Sequence, residues 1–331
     1  MTSSRTLLRS TLLVGCLSFL ALGPGCSSGD TGTGGAGGTS TTTPHYDPLP
    51  EPAQAWTHGD PSPLEQELLE LVQRARANPG GEVDLLLEVP GVLGAMEAFN
   101  VDEQTLRDDF TTYSPVPPLS FDAHLMESSR FHSEDMAKNG FQEHDGSAGE
   151  SFDQRIDKTG YKWSFLSENI FAYAQSVPYC HAGFMVDWGN AEPGHRMAIL
   201  DIDGPKRDIG ISIIEEPQSP AVGPLVVTED FGAPAGSPPN AQKYIVGVAF
   251  DDLNDNGVYD HGEGLEGLHI VVEKSDYFAI TSRSGGFSVP MPADAGLVKV
   301  QIQDQSTFVL DQKEATLEGE NVKVDFKLPV E

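Results

Sequence analysis

Apolar residues recur at every second position at Tyr244, Val246, Val248 and Phe250, the period that gives a strand one consistent face. The same period returns from Leu297 to Ile302 and at Val322, Val324, Phe326 and Leu328, and His269 to Val272 is rich in β-branched residues. Turn signals at Ser284-Gly285-Gly286 and Pro292-Ala293-Asp294 separate these runs, so residues 242–331 are predicted to form a small antiparallel β-sandwich. Upstream the period lengthens. Ser62-Pro63-Leu64-Glu65 has the form of a capping box with proline at the first helical position, and Leu64, Leu68, Leu71 and Val72 form a stripe after it. That helix is expected to end near Asn78-Pro79-Gly80. A second is expected from about Phe121 to Asn139-Gly140, with Leu125, Ser129, His132 and Met136 on one face. Strands are expected at Ile209 to Ile214 and Leu225 to Phe231. Helices first and strands afterwards indicate an α+β domain over residues 60–235 and argue against a doubly wound sheet.

Before these elements the chain carries an address. Arg5 and Arg9 precede an uncharged apolar run from Thr11 to Leu22 and then Gly23-Pro24-Gly25-Cys26, which reads as a signal peptide over residues 1–25, too short to span a membrane stably. Cys26 looks like the lipidated cysteine of a bacterial lipoprotein, with residues 26–59, rich in Gly, Ser, Thr and Pro, as a flexible tether to the membrane surface. Leu13-Val14-Gly15-Cys16 is the competing site, but cleavage there strands apolar residues in the mature chain. Simple secretion is the alternative to anchoring.

Charge agrees with export. Twenty Lys and Arg face fifty Asp and Glu, a net charge of -30, and removing Arg5 and Arg9 with the leader takes it to -32. Such a surface repels nucleic acid and anionic headgroups and suits a calcium-rich exterior. Of three cysteines only Cys180 remains once Cys16 is removed and Cys26 acylated, so no intramolecular disulfide is available.

The most specific local signal is a twelve-residue calcium loop. Asp252, Asn254 and Asn256 fill positions 1, 3 and 5, Gly257 the sharp turn at 6, the Val258 carbonyl 7, Asp260 position 9 and Glu263 the bidentate position 12. Here the loop joins strands, not the two helices of an EF-hand. Residues 242–331 thus resemble the calcium-binding β-sandwich repeats of bacterial surface adhesins, which implies a rigid spacer or binding module.

In the upstream domain, Leu119-Ser120-Phe121-Asp122, His132 to Ala137, His144-Asp145-Gly146, Phe152 to Arg155, Gly160-Tyr161, Ser167 to Ile170 and Gly194-His195-Arg196 follow one another in a familiar order. Residues 60–232 resemble the bacterial branch of the CAP superfamily, the SCP-like group of cysteine-rich secretory, antigen 5 and pathogenesis-related 1 proteins. The resemblance implies an α-β-α sandwich and an open cleft lined by histidines and acids. Matched one by one, His144, Glu168 and His195 are the cleft residues, with Asp187 or Glu192, on either side of Trp188, as the fourth. Imidazole and carboxylate are ligands that zinc accepts.

Other polar residues have structural readings. His132 is expected in the core, Asn169 as a support of the cleft and Arg196 paired with a carboxylate. Cys180-His181 lacks an orienting third group for thiol catalysis, and Ser167 lacks a nucleophile elbow. The leading expectation is an exported, lipid-anchored binding module for a lipid, polysaccharide or protein ligand. The alternatives are a metal-dependent hydrolase of peptide or cell-wall bonds, and a structural spacer or adhesin.

Overall fold

The computed structural model describes residues 45–190, 192–216, 221–236 and 242–329. The expected signal peptide, Cys16, the lipidation site Cys26 and the first part of the tether lie outside them. In chain order the described elements are β1 (Gln54–Trp56), α1 (Pro63–Ala77), α2 (Pro79–Glu88), α3 (Val92–Phe99), α4 (Glu103–Phe110), β2 (Ser120–Phe121) and α5 (Ala123–Asn139). Then come α6 (Phe152–Thr159), β3 (Trp163–Ala174), α7 (Val177–Val186), α8 (Gly194–Ile199), β4 (Asp208–Glu215) and β5 (Leu225–Pro234). The remainder is all β: β6 (Lys243–Phe250), β7 (His269–Val272), β8 (Tyr277–Ile280), β9 (Gly286–Met291), β10 (Gly296–Gln303), β11 (Val309–Leu317), β12 (Val322–Lys323) and β13 (Phe326–Lys327).

The α+β reading is correct, and local chemistry accounts for the helix ends. Ser62 Oγ accepts from the Glu65 amide at 3.2 Å while the Ser62 amide donates to Glu65 Oε2 at 2.7 Å, the reciprocal pair of a capping box. Asp122 caps α5, and Gly140 ends it in the left-handed region at φ 70°, where a side chain is disfavoured. The upstream sheet runs β2-β4-β5-β3, with β5 antiparallel to both neighbours and β2 parallel to β4. On one face Leu68 and Val72 of α1 and Phe184 of α7 share a core with Ile209, Ile211 and Val227. On the other, Met136 of α5 meets Ile170, Ala172 and Val226. Gly210 lets α5 approach this closely, because a Cβ there would stand 2.1 Å from the Leu125 carbonyl carbon.

The downstream lobe is a sandwich of a five-stranded sheet, β1-β8-β7-β10-β11, and a second sheet in which β6 is flanked by β9 on one side and by β12 and β13 on the other. It is not wholly antiparallel as expected. The pairings β1 with β8 and β6 with β12 and β13 are parallel. The chain reaches β6 again after β11 and runs alongside it, while the Asn321 and Asp325 side chains accept from the Tyr244 and Val248 amides at 3.0 and 3.1 Å. Those side-chain bonds replace ladder bonds and break the returning strand into two short pieces.

The alternation of β6 also has a different use from the one predicted. Ile245 and Ala249 point into the sandwich core, yet Tyr244, Val246, Val248 and Phe250 are buried too. Their face is part of a seam with the upstream lobe. There Asn321 Nδ2 donates to the Pro118 and Arg207 carbonyls at 3.0 and 3.2 Å, and Ser120 Oγ meets Ser288 Oγ at 2.9 Å. Lys323 reaches Glu70 at 2.8 Å, and from His45 onward the chain forms one compact unit.

The tether expected over 26–59 ends earlier than its composition suggests. Gln54–Trp56 adds a parallel strand to β8, the Leu49 amide donates to Gln301 Oε1 at 2.8 Å, and Trp56 packs against Tyr244 and Tyr277 with ring centroids 6.0 and 5.5 Å away. A three-residue strand carries too little periodicity to be read, and its neighbours here are polar or proline.

Candidate functional site

Glu168 lies on β3 with its carboxylate buried. Its Oε1 meets His144 Nδ1 at 2.8 Å and its Oε2 accepts from Arg155 of α6, a residue equally enclosed. The same guanidinium donates to the carbonyls of His144 at 2.8 Å and Glu150 at 3.2 Å, so one side chain neutralises Glu168 and shapes the loop that presents His144. The imidazole itself is half open to solvent. Asp230 stands opposite Glu168 in the β3–β5 register, and burial, followed by the Glu168 charge, pushes its carboxyl well above the usual range.

His195 is held by a second carboxylate. Asp187 ends α7 in the left-handed region at φ 61°, which turns its side chain toward the start of α8. Asp187 Oδ1 meets His195 Nδ1 at 2.8 Å, and Oδ2 accepts from the His195 and Arg196 amides at 2.8 and 3.4 Å. Asn190 donates to Oδ1 as well. Next to Glu168 on β3, Asn169 donates to the His195 carbonyl at 3.3 Å and to Glu229 Oε2 at 3.0 Å. Glu229 is fully enclosed; burial, offset in part by the Asn169 bond, pushes its carboxyl up to about 8.

Successive residues of a strand point to opposite faces, so Glu168 and Asn169 reach His144 and His195 around the two sides of the same edge strand. The site consists of two histidine–carboxylate dyads joined through β3. Asp187, and not exposed Glu192, is the acid that meets His195. Among the described residues no three His, Cys, Asp or Glu side chains are gathered closely enough to hold an ion.

Residues 70–215 match the CAP: Cysteine-rich secretory protein family. That stretch contains all five expected cleft residues and both dyads. No curated protein matches the chain. A solved structure of an extracellular protein containing a SCP domain from Bacillus anthracis str. Ames aligns at 18% identity with a TM-score of 0.29. The alignment covers 42% of this chain and 40% of that one, less than half the length of either.

Within and beside the CAP region the remaining polar residues are structural. His132 is fully enclosed with Nε2 at 3.0 Å from the Glu143 carbonyl, and burial lowers its affinity for a proton. Cys180 is buried and its thiol is pushed well above its usual range, by burial first and then by Glu229, so no thiolate is available. His181 meets Glu82 at 3.0 Å, and Ser167 donates to Asp203 at 2.7 Å. Arg196 reaches Asp109 at 3.4 Å and lies over the Phe110 and Tyr113 rings. Arg155 stands in a quoted motif but its role was not read, and Glu229 and Asp230 were missed altogether. Their signal is two adjacent acids, after Thr228, inside the strand predicted over Leu225 to Phe231.

The loop at 252–263 brings oxygen-bearing side chains into one turn. Asp252 accepts from the Asn256 and Gly257 amides at 3.0 and 2.8 Å, and from Lys327 Nζ at 2.9 Å. Asn254 and Asn256 both donate to Asp260 Oδ2, at 2.8 and 2.7 Å. Glu263, 5% exposed, accepts from the Leu253 and Asp260 amides at 3.0 and 2.9 Å. Asn254 and Asn256 Oδ1 accept from the Asn256 and Val258 amides at 3.0 and 2.9 Å, so the loop offers carboxylate and amide oxygens, the donor types a hard cation takes, without gathering its three carboxylates round one point.

Glu229 provides a test of the site's electrostatics. A carboxyl whose folded pKa is raised binds a proton that the unfolded chain has already lost, so its stability contribution declines as pH rises from the ordinary glutamate range through about 8. Glu229→Gln keeps an acceptor for Asn169 and removes the charge. Its melting temperature, followed by differential scanning fluorimetry, should match wild type near pH 5 and exceed it by roughly ten degrees at pH 9, since a carboxyl pushed from the ordinary range up to about 8 forgoes on the order of 4–5 kcal/mol on ionising. Parallel curves at both pH values would show that Glu229 ionises without penalty.

Proposed function

We propose that the chain is an exported surface protein, anchored through an acylated Cys26, whose CAP region binds a ligand without turning it over. The observation that supports this most is the pairing of each cleft histidine with its own buried, hydrogen-bonded carboxylate, while the nearby thiol and hydroxyl are buried or engaged. With Nδ1 of each imidazole facing a carboxylate, Nε2 is the nitrogen left for a metal or a ligand group, the arrangement that orients histidines in metal sites. His144 and His195 are therefore the residues that would hold a zinc-like ion, which would supply a Lewis-acidic contact for a ligand's oxygen. A polysaccharide, lipid or protein ligand is compatible with the open setting of His144, and the charge of -30 disfavours nucleic acid.

The rival hydrolase and the binding module differ in product. Purified mature protein should take up zinc weakly, lose that uptake in the His144→Ala/His195→Ala double variant, and release nothing from casein or peptidoglycan. Product that appears with wild type and vanishes in His195→Ala would replace the binding reading with a metal-dependent hydrolase.

Calcium is the cation we assign to Asp252, Asn254, Asn256, the Val258 carbonyl, Asp260 and Glu263. The full mature chain should melt higher in calcium than in chelator, and Glu263→Gln should remove most of the difference. Identical melting curves for the wild type in the two conditions would end the calcium assignment.

For the anchor, Cys26→Ser should release the protein from membranes while Cys16→Ser leaves it bound. Release by Cys16→Ser alone would move the acylated residue to position 16, and membrane association unaffected by either change would remove the lipid anchor.

A further inference from the structure

The seam between the two lobes is not filled. Beside the calcium loop it opens into a cleft of about 620 Å³, within the range of small-molecule sites, which favour junctions of this kind. One wall is apolar: Leu71 of α1 and Leu85 and Leu86 of α2, with Leu85 41% exposed. Across from it the sandwich contributes Phe250, Val258 and three lysines, Lys313, Lys323 and Lys327; the four carboxylates that also line the cleft are each engaged, Glu67 with His261, Glu70 and Asp325 with Lys323, and Asp260 with Asn254 and Asn256.

The three lysines differ in how they are engaged. Lys323 lies between Glu70 and Asp325 and serves as their counter-ion. Lys313, on the edge strand β11, donates to the Asp325 carbonyl at 2.6 Å and lies over the Phe326 ring, and among the described residues it forms no ion pair with a carboxylate. Lys327 shares Asp252 with the loop and is otherwise open to solvent. In a chain with fifty acids and twenty bases, two cations set so lightly beside an apolar wall are an exception to the surface around them. An apolar wall facing one ammonium free of carboxylates, Lys313, and a second, Lys327, that a competitor for Asp252 would release complements a molecule with an apolar body and one anionic head.

We propose that this cleft binds an amphiphile with a single carboxylate or phosphate head, the apolar body against Leu71, Leu85 and Leu86 and the head at Lys313 and Lys327. The site is separate from the His144 and His195 dyads, none of whose residues lines it. Lys327 also links the cleft to the loop. A cation held by the loop and the Lys327 ammonium compete for the Asp252 carboxylate, so an occupied loop leaves Lys327 to the head group. This link rests on the calcium assignment; the cleft itself does not.

The experiment titrates dansyl-labelled undecanoate into the full mature chain by fluorescence, with its uncharged amide as the second probe. Saturable one-site binding of the carboxylate is expected. The Lys313→Met/Lys327→Met double variant should weaken the carboxylate about tenfold, the worth of one charge-assisted contact, and bring it to the affinity of the amide. Leu85→Glu, a change at an exposed position, should weaken both probes. Melting curves near wild type qualify each variant as folded. No saturable binding, or the same affinities in all three proteins, overturns the proposal. Calcium titrated directly by calorimetry separates the two readings. If calcium binds, chelator should weaken the carboxylate several-fold and leave the amide unchanged; an unchanged carboxylate affinity overturns the link through Lys327. If calcium does not bind, the calcium assignment fails, and the titrations in chelator alone still decide the cleft.

Discussion

A single buried guanidinium organises the CAP site. Arg155 and Glu168 are both enclosed, and removing one member of such a pair typically costs about 3–5 kcal/mol because the other is left as an uncompensated charge. The remaining donors of Arg155 fix the His144 and Glu150 carbonyls, so the ion pair that makes Glu168 tolerable also sets the loop from which His144 projects. One cation cannot compensate two buried carboxylates. Burial, followed by the Glu168 charge, accordingly pushes the carboxyl of Asp230 well above the usual range. The compensation of Glu168 and the position of His144 are consequences of where Arg155 sits.

What the sequence disclosed follows from how local each cause is. The capping box at Ser62 and the Asn139-Gly140 stop act within a few residues, and α1 and α5 were legible from them. Strand β3 was not, because its middle, Ser167-Glu168-Asn169, is polar where a buried strand should be apolar. Glu168 and Asn169 meet His144 and the His195 carbonyl, and the apolar pattern fails where those contacts are made. The short helices α2 to α4 had too few turns to display a stripe. Of the site, motif order points to His144, Glu168 and His195 and leaves Asp187 and Glu192 as alternatives, whereas the contacts of Glu168 with Arg155 of α6 and its place opposite Asp230 arise from tertiary packing, which no linear spacing records.

The two lobes look modular in sequence and are interlocked in space. The chain lays down β1 on what becomes the downstream sandwich, then builds the CAP region, then completes the sandwich beneath it. Strand β6 is consequently buried on both faces, and alternation could locate its burial but not say which side would meet which lobe. Asn321 makes the same point at the level of one side chain. Its oxygen completes the β6 ladder at Tyr244 and its nitrogen binds the Pro118 and Arg207 carbonyls of the upstream lobe, so folding of the sandwich and docking of the lobes draw on one residue.

The distribution of charge ties these features together. With so few bases, their placement matters, and many are assigned to enclosed acids: Arg74 to Glu82, Arg76 to Asp201, Arg155 to Glu168, Arg207 to Asp208 and Lys323 to Glu70. Each pairing removes a base from the count available to the exterior. Each also removes an acid, so the exterior keeps the net charge of -30 but has fewer bases to distribute, and its carboxylates raise the local concentration of divalent cations. An oxygen-rich loop set in that field would hold a cation more readily than the same loop on a neutral protein. The field also acts on anions, which it repels everywhere except where a base remains uncommitted. Lys313 and Lys327 flank the seam, and one of them shares a carboxylate with the loop. The scarcity of positive charge that makes this protein acidic is therefore what gives its interlobe cleft a distinct chemistry.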